Sequence, residues 1–181
     1  MEADAPLIRR LEAHELARVA EIDVTETDDV VVVQRGRAIE TTSTDPWSRS
    51  PRDAHAWSRH VDGWRATLAA GGAAWGAFVD GRLAGIIVLR RRVRPPATDQ
   101  LEGLFVDRAT RRRGIASALI AVLEAEARAG GATALVVSAT PSRSAVGTYL
   151  RAGFEPSDDP VPELLALEPE DIQMETSLRR S

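Results

Sequence analysis

The chain alternates between short apolar runs and stretches with helical spacing, and this pattern predicts a mixed set of strands and helices. Leu7 to Leu11 reads as a first strand and Glu12 to Ile22 as a short helix, with Leu16, Val19 and Ala20 on its inner side. Asp29-Val30-Val31-Val32-Val33, followed by Gln34-Arg35-Gly36-Arg37, suggests a strand turning back through Ile39 to Thr42. Thr41 to Pro51, rich in Ser, Thr and Pro, reads as a loop, and Asp53 to Ala70 as a helix ended by Gly71-Gly72.

The middle of the chain is more sharply marked. Trp75 to Val79, Asp80-Gly81 and Arg82 to Leu89 form a strand, a tight turn and a strand, because Asp-Gly suits a type I′ hairpin turn. Arg94-Pro95-Pro96 then interrupts the pattern before a strand from Gln100 to Val106. A helix follows from Gly114 to Ala129, with Ile115, Ala118, Leu119, Val122 and Leu123 at helical spacing and Gly130-Gly131 as the stop. Leu135-Val136-Val137 is a short buried strand. Thr140 then caps a helix that has Pro141 at its first position and ends before Gly153. Asp171 to Leu178 closes the chain as a strand. The expected architecture is α/β or α+β, a mixed sheet with helices on its faces.

The bulk properties narrow the function classes. At 181 residues with 44% hydrophobic and 28% charged residues, the chain suits a globular domain that needs no disulfide or metal to fold. Without cysteine, thiolate zinc sites and cysteine nucleophiles are excluded. The formal net charge of −4 argues against a dedicated nucleic-acid binder. No apolar run reaches a membrane span, and the acidic start Met1-Glu2-Ala3-Asp4 lacks a signal-peptide layout, so a cytoplasmic location is expected. His14, His55 and His60 have no metal-ligand spacing and read as surface or partly packed residues. Trp57, His60, Val61 and Trp64 form a helical stripe, either a core face or a substrate wall.

The chemically informative unit is the strand Gln100–Val106, the turn Asp107–Arg113 and the helix from Gly114. A helix start carries unpaired N–H groups and the positive end of the dipole, and Gly114 and Ala116 leave room for a phosphate. No Ser, Thr, Asp or Asn lies between Arg111 and Gly114 to cap those donors. The loop is neither a Walker loop nor a dinucleotide fingerprint. Read alone, it is equally a solvated basic helix start.

Arg111-Arg112-Arg113-Gly114-Ile115-Ala116 is similar to the Arg/Gln-x-x-Gly-x-Gly/Ala pyrophosphate signature of the GNAT superfamily of acyl-CoA-dependent N-acyltransferases. Pro141 to Tyr149, then Leu150-Arg151-Ala152-Gly153-Phe154, resembles the Asn-x-x-Ala-x-x-x-Tyr helix and Gly-Phe turn of the same family, with Ser142 where Asn is common. The resemblance covers Trp75 to Phe154. It implies a mostly antiparallel twisted sheet with a central splay, flanked by helices on both faces. The whole chain would be one domain over 1–181: an acceptor-side segment over 1–72, an acyl-CoA-binding core over 73–156 and a closing strand within 157–181.

The same resemblance implies acetyl-CoA as co-substrate, no metal, and an N-acetyltransferase acting on a small-molecule or peptide amine. Leu104, Phe105 and Val106 would pair with the pantetheine arm, and amides from Arg112 through Ser117 would hold the pyrophosphate. Side chains of Arg111, Arg112 and Arg113, and of Arg143, would meet further phosphates. Ser142 would contact a pantetheine amide or a backbone group, and Tyr149 would be the general acid. A homodimer is a family-level expectation, and neither nucleic acid nor membrane is an expected partner. A non-catalytic acyl-CoA sensor is the alternative.

An ammonium such as lysine's, with a pKa near ~10.4, must lose a proton before attacking a thioester, so a base is needed. Glu102 is the candidate, on the reading that strand parity puts it on one face with Leu104 and Val106; a plain surface carboxylate is the competing reading. Glu155, Asp158 and Asp159 are weaker candidates. Arg90-Arg91-Arg92 with Arg94 either joins the cofactor's basic rim or is a solvated strand end. Glu21, Asp23, Glu26, Asp28 and Asp29 form an acidic stretch that either attracts a cationic amine or simply aids solubility.

Overall fold

The computed structural model describes residues 5–49 and 54–179, with the backbone alone for Ala54 and His55. In chain order the strands are β1 (Leu7–Arg10), β2 (Glu26–Arg35), β3 (Ala38–Arg49), β4 (Ala73–Val79), β5 (Arg82–Arg94), β6 (Thr98–Val106), β7 (Ala134–Ala139), β8 (Glu155–Pro156) and β9 (Ile172–Ser177). The α-helices are α1 (Ala54–Ala69), α2 (Ile115–Ala129), α3 (Arg143–Arg151) and α4 (Pro162–Leu167). Seven strands form one sheet in the order β1-β4-β5-β6-β7-β9-β8, and β2 and β3 form a separate ribbon. All pairs in the large sheet are antiparallel except β6 with β7.

The central strands bury both faces. On one, Trp75, Ile87, Leu89, Leu101 and Leu135 pack with Ile115, Leu119 and Leu123 of α2 and with Val146 and Tyr149 of α3. On the other, Ala74, Ile86 and Val88 pack with Trp57, Val61 and Trp64 of α1 and with Leu16 and Val19. The period of two in β4 and β5 thus sends alternate residues to two different helical layers. The β4–β5 turn has the expected geometry, with φ of 50° at Asp80 and 77° at Gly81.

Several local readings change. Leu16–Glu21 is a 3-10 helix, entered through turns at Glu15 and Arg18, in place of an α-helix over Glu12 to Ile22. β3 runs on to Arg49, where a loop was expected, because Trp47, Ser48 and Arg49 pair with Asp28, Thr27 and Glu26 of β2 beyond a register shift. Its polar residues face solvent on a ribbon, so burial leaves no pattern along it. The cap of α3 is Ser142, not Thr140: the Ser142 side chain accepts from the Ala145 N–H at 3.2 Å. β8 and α4 fall in a stretch without recognised periodicity.

The decisive feature lies between β6 and β7. They pair only from Thr98 to Gln100 against Ala134 to Val136, and beyond that point the strands separate. β6 stays paired to β5 as far as Val106, and β7 to β9 as far as Ala139. At the point of separation β6 carries a bulge: Gly103 opposes Val88 and Leu101 opposes Leu89, leaving Glu102 as the extra residue. A bulge bends its strand and increases its twist, which opens the wedge.

Candidate active site

The wedge is the centre of a cleft of about 860 Å³, lined by Leu101 to Val106 of β6, Val137 and Ser138 of β7, the start of α2 and Tyr149 of α3. One edge of β6 is hydrogen-bonded to β5 there, and the other faces the wedge with no strand beside it among the described residues. Across the gap the Ser138 hydroxyl is buried without a hydrogen-bond partner. An open strand edge facing an unpaired hydroxyl fits an extended ligand that carries its own amides.

At one end of the cleft β6 runs into the phosphate-loop segment. Asp107 orders the turn: its carboxylate accepts from the Ala109 and Asp23 N–H groups, each at 2.9 Å. Arg112 and Gly114 then adopt positive φ, 62° and 79°, and α2 begins at Ile115. The first helical bond runs from Ala118 N–H to Gly114 O at 3.0 Å, and no side chain caps the start. The amides of Ile115, Ala116 and Ser117 are therefore the donors that a helix start leaves open, on residues that line the cleft.

The arginines divide their work. Arg111 donates to Val106 O at 3.4 Å and to Thr25 O at 3.1 Å, so its guanidinium ties the loop to β6 and to the entry of β2. Arg112 is exposed and lines the cleft, whereas Arg113 is exposed outside the lining. Arg143, expected near a phosphate, is paired with Asp28 and Asp29 of β2. Ser142 is 1% exposed and lies outside the cleft lining, its hydroxyl being engaged as the α3 cap. Of the two contacts expected of Ser142, the structure shows the one to a backbone group, the Ala145 N–H.

Glu102 needs a correction. Its bulge breaks strand parity, so Leu104 and Val106 pack toward the α2 layer while Glu102 bonds Thr67 of α1 on the opposite side. One carboxylate oxygen is buried without a partner. Burial pushes the proton affinity of Glu102 above the ordinary carboxylate range; Glu168 adds to this, while the Thr67 bond and Arg90 oppose it. His60 of the α1 stripe also lines the cleft, its ring 5.6 Å from that of Phe105, while Trp57 and Trp64 are core. The stripe is both a core face and a cleft wall.

Tyr149 is 7% exposed, stacked edge-on against Phe154 at 5.7 Å, and lines the cleft. Burial, and then the negative charges of Asp171 and Glu168, push its ionisation well above that of an ordinary phenol. It therefore holds its proton and can donate it. Asp171 itself is raised to about 6 by burial and by Glu168, against the pull of Arg49. Glu168 and Asp171, which line the cleft beside Tyr149, were missed in the sequence: they flank the turn from α4 into β9, and only the fold brings that turn to the wedge.

The other charged candidates lie elsewhere. Arg37 at the tip of the ribbon pairs with Glu155 and Asp158, and Arg94 pairs with Asp159 and Glu175. Arg91 bridges Asp99 at 3.1 Å and Glu126 at 2.7 Å, and Arg92 reaches Gly130 O, so these two brace α2 and its end, and none of Arg90, Arg91, Arg92 and Arg94 lines the cleft. Glu21 holds Arg18 and the Leu83 amide, and Asp28 is held near a pKa of 2 by Arg143. The acidic stretch is thus largely spent in internal pairs. Among the described residues, no group of His, Asp or Glu is spaced to hold a metal ion.

The family model for the acetyltransferase (GNAT) domain matches residues 48–163, which span the wedge, the loop at Gly114 and Tyr149. The chain belongs to the GNAT acetyltransferase family. As a GNAT acetyltransferase it is an acyltransferase enzyme. Its fold resembles that of a nourseothricin acetyltransferase, with a TM-score of 0.71, 17% identity, and coverage of 97% of this chain and 100% of the other. It is also similar to a Bacillus anthracis protein described as a streptothricin acetyltransferase and solved with acetyl coenzyme A (TM-score 0.68, 20% identity, 97% and 100% covered). A third structure, a PaiA N-acetyltransferase from Thermoplasma acidophilum with coenzyme A, has a TM-score of 0.63 at 15% identity, with 96% and 99% covered. No curated protein matches the chain. The GNAT match ends at residue 163, so Glu168 and Asp171 lie beyond it.

Proposed function

We propose that this GNAT acetyltransferase moves an acetyl group from acetyl-CoA to a primary amine of a small molecule or peptide, by direct attack of the amine. One observation carries the reading: a single cleft joins the uncapped start of α2 to Tyr149 on one face of the sheet and Glu102 on the other. The amides of Arg112 through Ser117 and the Arg112 side chain would hold the pyrophosphate. The wedge-facing edge of β6 at Leu104, Phe105 and Val106 would receive the pantetheine amides. Acetyl-CoA supplies an acetyl group already activated as a thioester.

The protein's own groups then handle protons and position. The amine arrives protonated near neutral pH and must lose a proton, which Glu102 takes directly or through water; its raised affinity brings it nearer the working pH. The Tyr149 hydroxyl, kept protonated by burial, donates to the departing sulfur, and the second proton shed by the nitrogen as the amide forms restores the phenol. A backbone N–H at Phe105 or Val106 would steady the thioester oxygen.

Calorimetry with acetyl-CoA, followed by thiol release across a panel of primary amines, tests the reading. Binding together with turnover of at least one amine supports it. Binding without turnover of any amine would identify an acyl-CoA sensor instead.

A further inference from the structure

Among the described residues, the side-chain atoms buried without a hydrogen-bond partner are Gln100 Oε1, Glu102 Oε2 and Ser138 Oγ. All three come from β6 and β7, the strands that part at the wedge. In their parallel register Gln100 lies opposite Val136 in the last pair, so Glu102 and Ser138 stand opposite one another just beyond it. Their side chains also share a face of the sheet. Leu135 and Val137 pack toward the α2 layer, so Ser138 lies on the other face with Val136, which packs on Leu164 of α4. Glu102 is turned to that same face by the bulge and bonds Thr67 of α1. Gln100 lies outside the cleft lining, whereas Glu102 and Ser138 both belong to it.

Leaving a buried polar atom unpaired is costly, so two of them facing one gap point to a shared partner. Ser138 has no partner among the described residues, which excludes a direct bond to Glu102. Paired strands stand about 4.8 Å apart, and β6 and β7 diverge from that spacing, leaving room for one small polar group between the facing side chains. A hydroxyl donates and an ionised carboxylate accepts. A water bonded to both keeps one lone pair for an N–H of the reacting amine, which gives it three polar partners, the usual number for a buried water.

We infer that Ser138 is a positioning residue for Glu102, its hydroxyl and the Glu102 carboxylate together holding the water that carries the amine's proton to the base. This rests on Glu102 being the base of acetyl transfer. The ammonium N–H bond breaks as an O–H bond forms on the water, and the water passes one of its own protons to Glu102 Oε2. One proton leaves nitrogen, one reaches the carboxylate, and the water is restored. Ser138 keeps its proton throughout and fixes the water's orientation. Arg90 of β5 and Glu168 after α4 also act on Glu102, and His60 of α1 and Asp171 line the same cleft. Substitution at Ser138 leaves all of these in place.

The experiment titrates the Glu102 carboxyl by carbon NMR in protein with labelled glutamate, the signal being assigned by its loss in Glu102→Gln. In Ser138→Ala that carboxyl should titrate higher by about half a pH unit or more, because its ionised form loses an oriented donor. Ser138→Thr, which keeps the hydroxyl, should titrate near the wild type, and Tm reports that each fold persists. With an amine that turns over, Ser138→Ala should lower kcat about tenfold, the scale of one hydrogen bond to a charged group. The acid limb of its kcat profile should move to higher pH, with acetyl-CoA affinity unchanged by calorimetry. In the Glu102→Gln background the same substitution should change kcat little, since Ser138 acts through Glu102. An unchanged Glu102 titration in Ser138→Ala overturns the inference, whether or not any amine is acetylated. So does a loss of activity that persists undiminished in Glu102→Gln or comes with weaker acetyl-CoA binding, either of which would make Ser138 a contact of the pantetheine arm. A shifted titration in a protein that acetylates no amine would uphold the link between Ser138 and Glu102 while the acetyl-transfer reading fails.

Discussion

Among single residues, Tyr149 and Glu102 illustrate how environment assigns a role. The phenol is buried beside two carboxylates, so it keeps its proton across the working range. Replacing Tyr149 by Phe should lower kcat by about a hundredfold or more with acetyl-CoA affinity nearly unchanged; a kcat within a few-fold of wild type would remove it as the acid. Asp171 makes a separate prediction for stability. It binds its proton more tightly in the folded protein, at a pKa of about 6, than at its ordinary 3.8. Its contribution to stability is therefore full below pH 3.8 and is lost as pH rises through 6. Asp171→Asn does not titrate, so its Tm relative to wild type should improve by a few degrees between pH 4 and pH 7. A Tm difference that is the same at both pH values would contradict this. A carboxylate that weakens the fold at neutral pH is the pattern expected where function competes with stability.

Among the elements, the start of α2 and the β2–β3 ribbon carry the clearest consequences. Gly114 sits at a φ of 79° with nothing within 4 Å of the place a β-carbon would take, so an alanine there meets a backbone penalty and no collision. Gly114→Ala should cost about 1–2 kcal/mol, lower Tm by roughly 2–8 °C and weaken acetyl-CoA binding. An unchanged Tm would mean that the loop relaxes out of the left-handed region. The ribbon is held to α3 by Asp28 and Asp29 on Arg143, and by the Val32 N–H on Pro141 O at 3.0 Å. Because the Asp28 side chain is 8% exposed and also accepts from the Asp29 N–H, Asp28→Asn should lower Tm by a few degrees and speed hydrogen exchange at Val30 to Val33. Unaltered exchange would show that backbone pairing alone holds the ribbon.

On the scale of the whole molecule, the wedge exists because the sheet is closed firmly at one end. Asp99, 1% exposed, accepts from Arg91 at 3.1 Å and from the Arg92 N–H at 2.9 Å. Arg91 continues to Glu126, so β5, β6 and α2 are joined beside the short stretch where β6 and β7 pair. Removing one partner of such a buried pair leaves an uncompensated charge. Asp99→Ala should therefore cost about 3–5 kcal/mol and lower Tm by roughly 6–20 °C, read by thermal melting. A fall of under a couple of degrees would show that Glu126 alone satisfies Arg91.

Local chemistry settled what could be read along the chain. The Asp80-Gly81 turn, the helices around α1 and α2, and the paired signatures at Gly114 and Tyr149 each depend on residues near one another in sequence, where turn geometry, periodicity and helix-end donors leave a direct mark. The acyltransferase family was legible for that reason. The tertiary structure decided the rest. The bulge that turns Glu102 away from Leu104, the use of Ser142 as a cap and the binding of Arg111 to Thr25 all depend on partners distant in the chain or on strand register. Above all, Glu168 and Asp171 join Glu102 and Tyr149 only because β9 packs beside β7. No local periodicity records which distant carboxylates will share a wall.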